Sequence, residues 1–474
     1  MNQPIRAVSV AVMVMFLALM ANASASSVLR QTELNENPQN RRVSDARFAQ
    51  NRGAILVGKT AIASSTPVKD RFKYQREYSN GKLYAPITGY YSYFYGTAAL
   101  ENTQSRYLSG STDLQVLDDL IKSAAGQVPK GAEVHTTISA KAQKAAWDAL
   151  DGRKGAIVAL DFKTGAVKAL VSYPSYDPAQ LATHDLDASK AAWEKLNADT
   201  DRPMANRATR EIYSPGSTFK LVTAAAVMEE LDLTPDSTVD ASAFKLPGST
   251  KTYKNNCGGD EITLRQALMK SCNPAFARLG VEVGAEKLQA QAEKFGFGQR
   301  FLDDIGSAAS KFPTDIDGAQ TGMSAIGEYE VQASPLQMAL VVAAIANDGI
   351  MMQPYVVESV VSENLATIYQ REPQQALVPI SVTTARGLQS MMETVVESGT
   401  GYRAAIPGET VGGKTGTAVT DRVRSPYAWF VAFAKERHIA VAVFIEDAGL
   451  KDDDEVAGGK LASPVAKAVL EALK

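Results

Sequence analysis

Histidine and cysteine are nearly absent from this chain: its 474 residues hold three histidines, His135, His184 and His438, and two cysteines, Cys257 and Cys272. No histidine falls in a metal-ligand spacing such as H-E-x-x-H, so neither a metal nor any other cofactor is expected. Excess charge is lacking as well. A net charge of −3 argues against nucleic acid or another phosphate partner and against a polybasic membrane-binding role. There are no internal repeats, and the low-complexity content is confined to the N-terminus.

What is present is ordinary for a folded chain, with 45% hydrophobic and 21% charged residues. The length accommodates a large core and two domains after any targeting segment. The one long apolar run, Ala7 to Ala21, has 15 residues, is preceded by Arg6, and ends in Asn22-Ala23-Ser24-Ala25-Ser26-Ser27. Its length fits a signal-peptide core, and Ala21-x-Ala23 or Ala23-x-Ala25 would serve as a cleavage site. A spanning helix wants about 20 apolar residues. Cleaved or retained, the segment exports the rest of the chain, with the basic amino terminus on the cytoplasmic side. In an exported chain two cysteines are either separate buried thiols or one disulfide, and the even count makes a Cys257–Cys272 bond the expectation.

The pattern predicts a polar, then tyrosine-rich N-terminal domain over residues 27–132. It has short strands at Asn51–Ile55 and Arg71–Tyr74, and an aromatic cluster at Tyr84 and Tyr90 to Tyr95 expected to pack internally. A linker is read from Ser123 to Gly131. The second domain, 133–474, opens on a strand at Val134–Ile138 and a helix at Ala140–Leu150. Strands follow at Gly155–Asp161 and Ala166–Ser172; far downstream come Ala428–Ala434, His438–Ile445 and a closing helix from Pro464. Strands at both ends of a helical middle imply one mixed sheet joined across long sequence separations.

Three short strings carry chemistry: Ser217-Thr218-Phe219-Lys220, Ser271-Cys272-Asn273 and Lys414-Thr415-Gly416-Thr417. Ser217 and Lys220, three apart at the start of a helix rich in Ala, Val and Leu, would face the same way. Burial would favour the neutral lysine, the form that can act as a base. Free N–H groups at the helix start, with that of Thr417, would hold an oxyanion. Ser271 could relay a proton, and Asn273 could hold a substrate amide. In the third string Lys414 supplies positive charge, Thr415 and Thr417 hydroxyls, and Gly416 room for the substrate to approach the backbone. S-x-x-K alone would arise by chance about once or twice in such a chain. The ordered set, with spacings of 54 (271 minus 217) and 143 (414 minus 271), would not. Gly408 with Gly413-Lys414-Thr415 also satisfies a phosphate-loop spacing, but no buried strand precedes it and no helix pattern follows.

These strings are the motif set of penicillin-binding proteins and class A β-lactamases, and the second domain resembles the transpeptidase domain of class B penicillin-binding proteins. Arg52-Gly53, Tyr173 to Pro178 and Asn206-Arg207-Ala208 are similar to segments of the same family. Gly327-Glu328 departs from a common glycine–glutamine pair. The resemblance implies a penicillin-recognising α/β (α+β) fold, a mixed or antiparallel five-stranded sheet with helices on both faces, beside a non-catalytic N-terminal domain. It also implies a retained N-terminal anchor over residues 1–26, placing the catalytic domain outside the cytoplasm. The implied reaction is peptidoglycan D,D-transpeptidation through a Ser217 acyl-enzyme. Stem peptides are the substrates, β-lactams the inhibitors, and other wall-synthesis or division proteins the partners. The alternatives are a D,D-carboxypeptidase, a β-lactamase or a penicillin-binding sensor. Against a class A β-lactamase, no E-x-x-x-N string lies between Ser271 and Lys414. Against a sensor, only five residues precede Arg6 and the apolar run that it borders.

Overall fold

A computed structural model describes residues 2–29, 41–112, 129–418, 426–446 and 458–473. The chain divides into two compact units, Met1–Gln50 with Thr66–Gln75, and Asn51–Ser65 with Arg76–Lys474. The first unit holds helix α1, Asn2–Leu29, and a short helix, Arg41–Phe48, whose Phe48 ring meets the Phe72 ring edge-on at 5.1 Å. Small residues after Ala21 continue α1, so its apolar window reaches from Gln3 to Ser26 over 24 residues with none of it buried. At a rise of about 1.5 Å per residue this spans about 36 Å, enough for a hydrocarbon core.

The strands used below are, in chain order, β1 (Ile55–Val57), β2 (Thr60–Pro67), β3 (Tyr74–Tyr78), β4 (Glu133–Thr136), β5 (Gly155–Asp161) and β6 (Val167–Tyr173). They continue with β7 (Val357–Val361), β8 (Thr367–Gln370), β9 (Val411–Ala418), β10 (Tyr427–Ala434) and β11 (Ile439–Ile445). The helices after α1 are α2 (Ala140–Leu150), α3 (Lys220–Glu230), α4 (Asn273–Val283), α5 (Pro335–Ala346), α6 (Val382–Glu397) and α7 (Ser463–Ala472).

The larger unit is organised on a five-stranded sheet ordered β9-β10-β11-β5-β6, in which every neighbouring pair is antiparallel. Strands about 280 residues apart, β5 and β11, therefore pair directly, and of the mixed and antiparallel arrangements expected the sheet takes the antiparallel one. Its strands read as continuous apolar runs because both faces are covered. In β5, Ala156, Val158 and Leu160 enter one core with α5, while Ile157 and Ala159 enter the other with α2 and α7. That is the period of two that a pleated strand imposes. Helix α5 is buried at all twelve positions, as an apolar helix must be when other elements pack on every side.

A second sheet, ordered β8-β7-β4-β1-β2-β3, is mixed, since β1 runs parallel to β4. It joins strands from before residue 79 with strands from beyond residue 132. The strand expected at Asn51–Ile55 begins only at Ile55, and that at Arg71–Tyr74 only at Tyr74. Lys73 sits at a φ of +64°, which breaks any extended run there. Residues 113–128, which include most of the expected linker, lie outside the described residues. In the aromatic cluster, Tyr84 and Tyr91 are buried, whereas Phe94 is exposed.

Beneath the second sheet, the Glu101 carboxylate is buried between two guanidinium groups, Arg52 Nη2 at 2.8 Å and Arg76 Nε at 2.6 Å, and also accepts from Tyr78 Oη at 3.1 Å. Burial opposes the charge, but Arg76 and Arg52 outweigh it and hold the carboxyl below its ordinary range. Removing one member of such a cluster strands the others' charge in a dry site. Glu101→Gln should therefore lower unfolding free energy by about 3–5 kcal/mol in urea titrations near neutrality. Because the folded carboxyl is the stronger acid, its contribution is complete above about pH 5 and is lost as pH falls through the folded value. The gap between wild type and variant should narrow in acid.

Candidate active site

Ser217 lies on a single 3-10 turn, Gly216–Phe219, that runs directly into α3. Side chains three apart eclipse on such a turn, which sets Ser217 and Lys220 on one side. Pro215 precedes the turn, and Gly216 takes a φ of +51°, which suits glycine. Helix α3 is buried from Lys220 to Met228, so Lys220 enters the site from the core. Ser217 itself is half-buried, and no hydrogen bond among the described residues engages its hydroxyl.

Lys220 Nζ donates to the Ser271 carbonyl and to Asn273 Oδ1, both at 2.6 Å, and reaches Ser271 Oγ at 3.2 Å. From the opposite side, Lys414 Nζ donates to the same Ser271 Oγ at 2.9 Å and to the Thr415 carbonyl at 2.8 Å. One hydroxyl is thus shared by two fully buried lysines. The positive charge expected of Lys414 is therefore carried to the site at Ser271 Oγ. Thr415 is buried too, its hydroxyl 2.8 Å from that of Thr400. Within the Lys414–Thr417 string only Thr417 is partly exposed, so its hydroxyl is the one a ligand can meet.

Asn273 is the first residue of α4, with Cys272 as its cap and Pro274 in the first turn, where a missing N–H costs nothing. Ser271 just before it adopts a φ of +59°, a left-handed conformation rare for serine. The structure joins Cys272 to Cys257 as a disulfide, so the two are not separate thiols, and this strained residue is flanked by a covalent tether. Cross-linking a 15-residue loop stabilises by about 3 kcal/mol in the chain-entropy model.

Glycine in β9 has another cause than the one expected. A Cβ on Gly416 would lie 2.8 Å from Thr218 Cγ2 and 3.0 Å from both the Pro215 carbonyl and Trp429 Cβ. A Cβ on Gly413 would meet the Phe430 ring at 2.6 Å. What approaches the strand is the protein itself, and at Gly416 it is the Ser217 turn. Lys414 and Thr415, paired in an edge strand of an antiparallel sheet, also rule out the phosphate-loop geometry.

Several positions were not singled out from sequence. Trp429 Nε1 donates to the Ser214 carbonyl at 3.0 Å, and Thr218 Oγ1 to that of Pro215 at 2.7 Å, which fix the approach to Ser217. Arg207 Nε pairs with Glu446 at 3.1 Å. Arg207, Thr218 and Trp429 each stood inside a quoted segment without a role of its own, and the contacts of Trp429 and Arg207 reach across 215 and 239 residues.

A serine at a helix start beside a buried lysine, a second hydroxyl held between two lysines, and an edge strand laid against the serine's turn define a serine acyltransferase of the penicillin-recognising type. The chain belongs to the penicillin-binding protein transpeptidase family: the model of the penicillin binding protein transpeptidase domain matches residues 155–471, and that of the penicillin binding protein A dimerisation domain matches residues 52–134. It is 41% identical to the peptidoglycan D,D-transpeptidase PbpA of Mycolicibacterium smegmatis, across 100% of this chain and 99% of that one. To PbpA of Mycobacterium tuberculosis it is 38% identical at the same coverage. Among solved structures, the ceftriaxone acyl-enzyme complex of penicillin-binding protein A from M. tuberculosis superposes with a TM-score of 0.86 at 37% identity, covering 90% of this chain and 99% of that chain. The penicillin G acyl-enzyme complex gives 0.84 at 37% identity, covering 89% and 99%.

Gly416→Ala should push β9 off the Ser217 turn, since the new Cβ would crowd Thr218 Cγ2 and the Pro215 carbonyl, and Trp429 Cβ closes the remaining side. Overpacking of this kind costs about 1–3 kcal/mol. We expect a lower denaturation midpoint together with slower acylation by labelled penicillin; acylation at the wild-type rate would show that the turn tolerates the shift.

Proposed function

We propose that this chain is a peptidoglycan D,D-transpeptidase that works through an acyl-enzyme on Ser217 and is inactivated by β-lactams at the same atom. The observation that carries the reading is the single hydrogen-bonded path Lys220–Ser271–Lys414 beside Ser217. Two ammonium groups on one oxygen repel, and a neutral Lys220 relieves that repulsion. In that form it accepts the Ser217 proton as Oγ attacks the carbonyl of the penultimate D-Ala of a stem pentapeptide. The N–H groups of Ser217 and Thr417 hold the oxyanion. As the C–N bond breaks, Ser271 gives its proton to the departing D-Ala and recovers one from Lys220. An amine of a neighbouring stem then attacks the ester carbonyl, loses a proton through the same path, and releases Ser217 with the cross-link made.

Asn273 holds the donor-stem amide in this scheme, while the Thr417 hydroxyl meets the terminal carboxylate and Lys414, through Ser271, supplies the positive field. A β-lactam follows the first half only, its ring amide replacing the D-Ala–D-Ala bond. The relatives' names support this reading over a carboxypeptidase, a β-lactamase or a sensor, and their β-lactam acyl-enzyme structures support acylation of the serine by β-lactams. The length and exposure of α1 support a single membrane span; we place the rest of the chain outside the cytoplasm because the basic amino terminus and Arg6 keep the other end inside. We place contacts with other wall-synthesis or division proteins on the region matched by the dimerisation-domain model. Residues 27–132 serve as a non-catalytic pedestal for the transpeptidase region 133–474.

Ser217→Ala should abolish covalent labelling by fluorescent penicillin. Lys220→Ala should slow it by about 10²–10⁴-fold, the usual worth of general-base assistance, with the fold intact by circular dichroism. Labelling of Ser217→Ala near the wild-type level defeats the mechanism.

Lys414→Ala should slow acylation by both a stem pentapeptide and a β-lactam. If only the melting temperature moved, β9 would be a structural strand and the assignment wrong.

A further inference from the structure

A small hairpin, Phe244–Lys245 paired with Thr252–Tyr253, is fastened at two places. Four residues past its end, Cys257 is bonded to Cys272, between Ser271 and Asn273. The other fastening is Glu328, whose Oε2 accepts from Tyr253 Oη at 3.0 Å and from Lys251 Nζ at 2.9 Å.

Glu328 follows Gly327, and Gly327 is pressed onto the nucleophile's turn. Its carbonyl accepts from the Gly216 amide at 3.1 Å and from Ser214 Oγ at 2.7 Å. With a φ of +75°, Gly327 has no room for a side chain, since a Cβ would lie 2.1 Å from the Gly216 carbonyl oxygen. A closed circuit results. It runs from Ser217 through Gly216, Gly327 and Glu328 to Tyr253, crosses the disulfide to Ser271, and returns by Lys220 to the turn of Ser217.

We propose that Glu328 is a positioning residue for acyl transfer, holding the hairpin and the Ser217 turn at a fixed separation through Tyr253. This rests on the reading of Ser217 as the acylated atom. Of the two bonds to Glu328, the ion pair is the weaker. The Lys251 side chain is 45% exposed and that of Glu328 34%, and water screens such pairs. Tyr253 is buried; burial first, and then the Glu328 charge, push its phenol well above the ordinary value. It therefore stays a protonated donor, and a hydrogen bond from a buried donor to a carboxylate is among the stronger kinds. Glutamine at 328 would keep an acceptor oxygen for Tyr253 and give up only the ion pair.

The test uses the full chain and fluorescent penicillin, with the limiting acylation rate and the half-saturating concentration measured separately. Glu328→Ala and Tyr253→Phe should each lower the limiting rate about tenfold, the usual worth of a charged hydrogen bond, with half-saturation unchanged. The double variant should be no slower than either single one, because both break one link. Glu328→Gln should stay within about threefold of wild type, and Lys251→Ala within about twofold. The proposal is overturned if Glu328→Ala acylates at the wild-type rate, if Glu328→Gln is as slow as Glu328→Ala, or if the two losses multiply in the double variant. A wild-type chain that takes no penicillin on Ser217 overturns the underlying reading instead, a result visible before any substitution is made.

Discussion

One hydroxyl between two lysines sets the terms for the rest of the molecule. Ser271 Oγ lies 3.2 Å from Lys220 Nζ and 2.9 Å from Lys414 Nζ, and both lysines are completely buried. Burying two amines is costly unless every N–H finds an acceptor. The acceptors come from two segments: the Ser271 carbonyl and the Asn273 amide oxygen on one, and the Thr415 carbonyl on the other. Each demands that α3, the start of α4 and β9 be held to within a few tenths of an ångström. Stability and chemistry here ask for the same geometry.

The fold answers that demand with close contact rather than with more polar bonds. Gly216, Gly327 and Gly416 let three backbone segments meet where side chains would keep them apart. The left-handed Ser271 is strained, and the disulfide at Cys272 together with the packed helix α4 holds it in place. Strain of this sort persists only where the surroundings over-determine a residue. Two apolar layers on the five-stranded sheet supply that rigidity.

The segments before residue 79 contribute differently. Strand β1 pairs with β4, so a strand opening the predicted second domain gets its neighbour from the predicted first one. Glu101 and its two arginines add little net stability relative to an apolar cluster, but loss of any one of them would leave buried charge unpaired.

Much of the site was legible in the sequence, because acyl transfer by a serine needs particular side chains and permits few substitutes. Ser217, Lys220, Ser271, Asn273 and Lys414 stood out as a known motif set in its order and spacing, and the structure brings four of them, Lys220, Ser271, Asn273 and Lys414, into one hydrogen-bonded cluster; the apolar runs from Gly155 and from Ala428 announced the central sheet. The Cys257–Cys272 bond followed from an even count in an exported chain. Tertiary structure alone decided where each group points. Lys414 turned out to end on Ser271, a choice made by which face of β9 is buried. The glycines of β9 answer to Thr218, Phe430 and Trp429, and the partners of Glu328 lie 75 and 77 residues away. Local pattern records what a residue can do and how it alternates along its own element. Which other element closes over it is set by packing between distant segments, and no short stretch of sequence carries that.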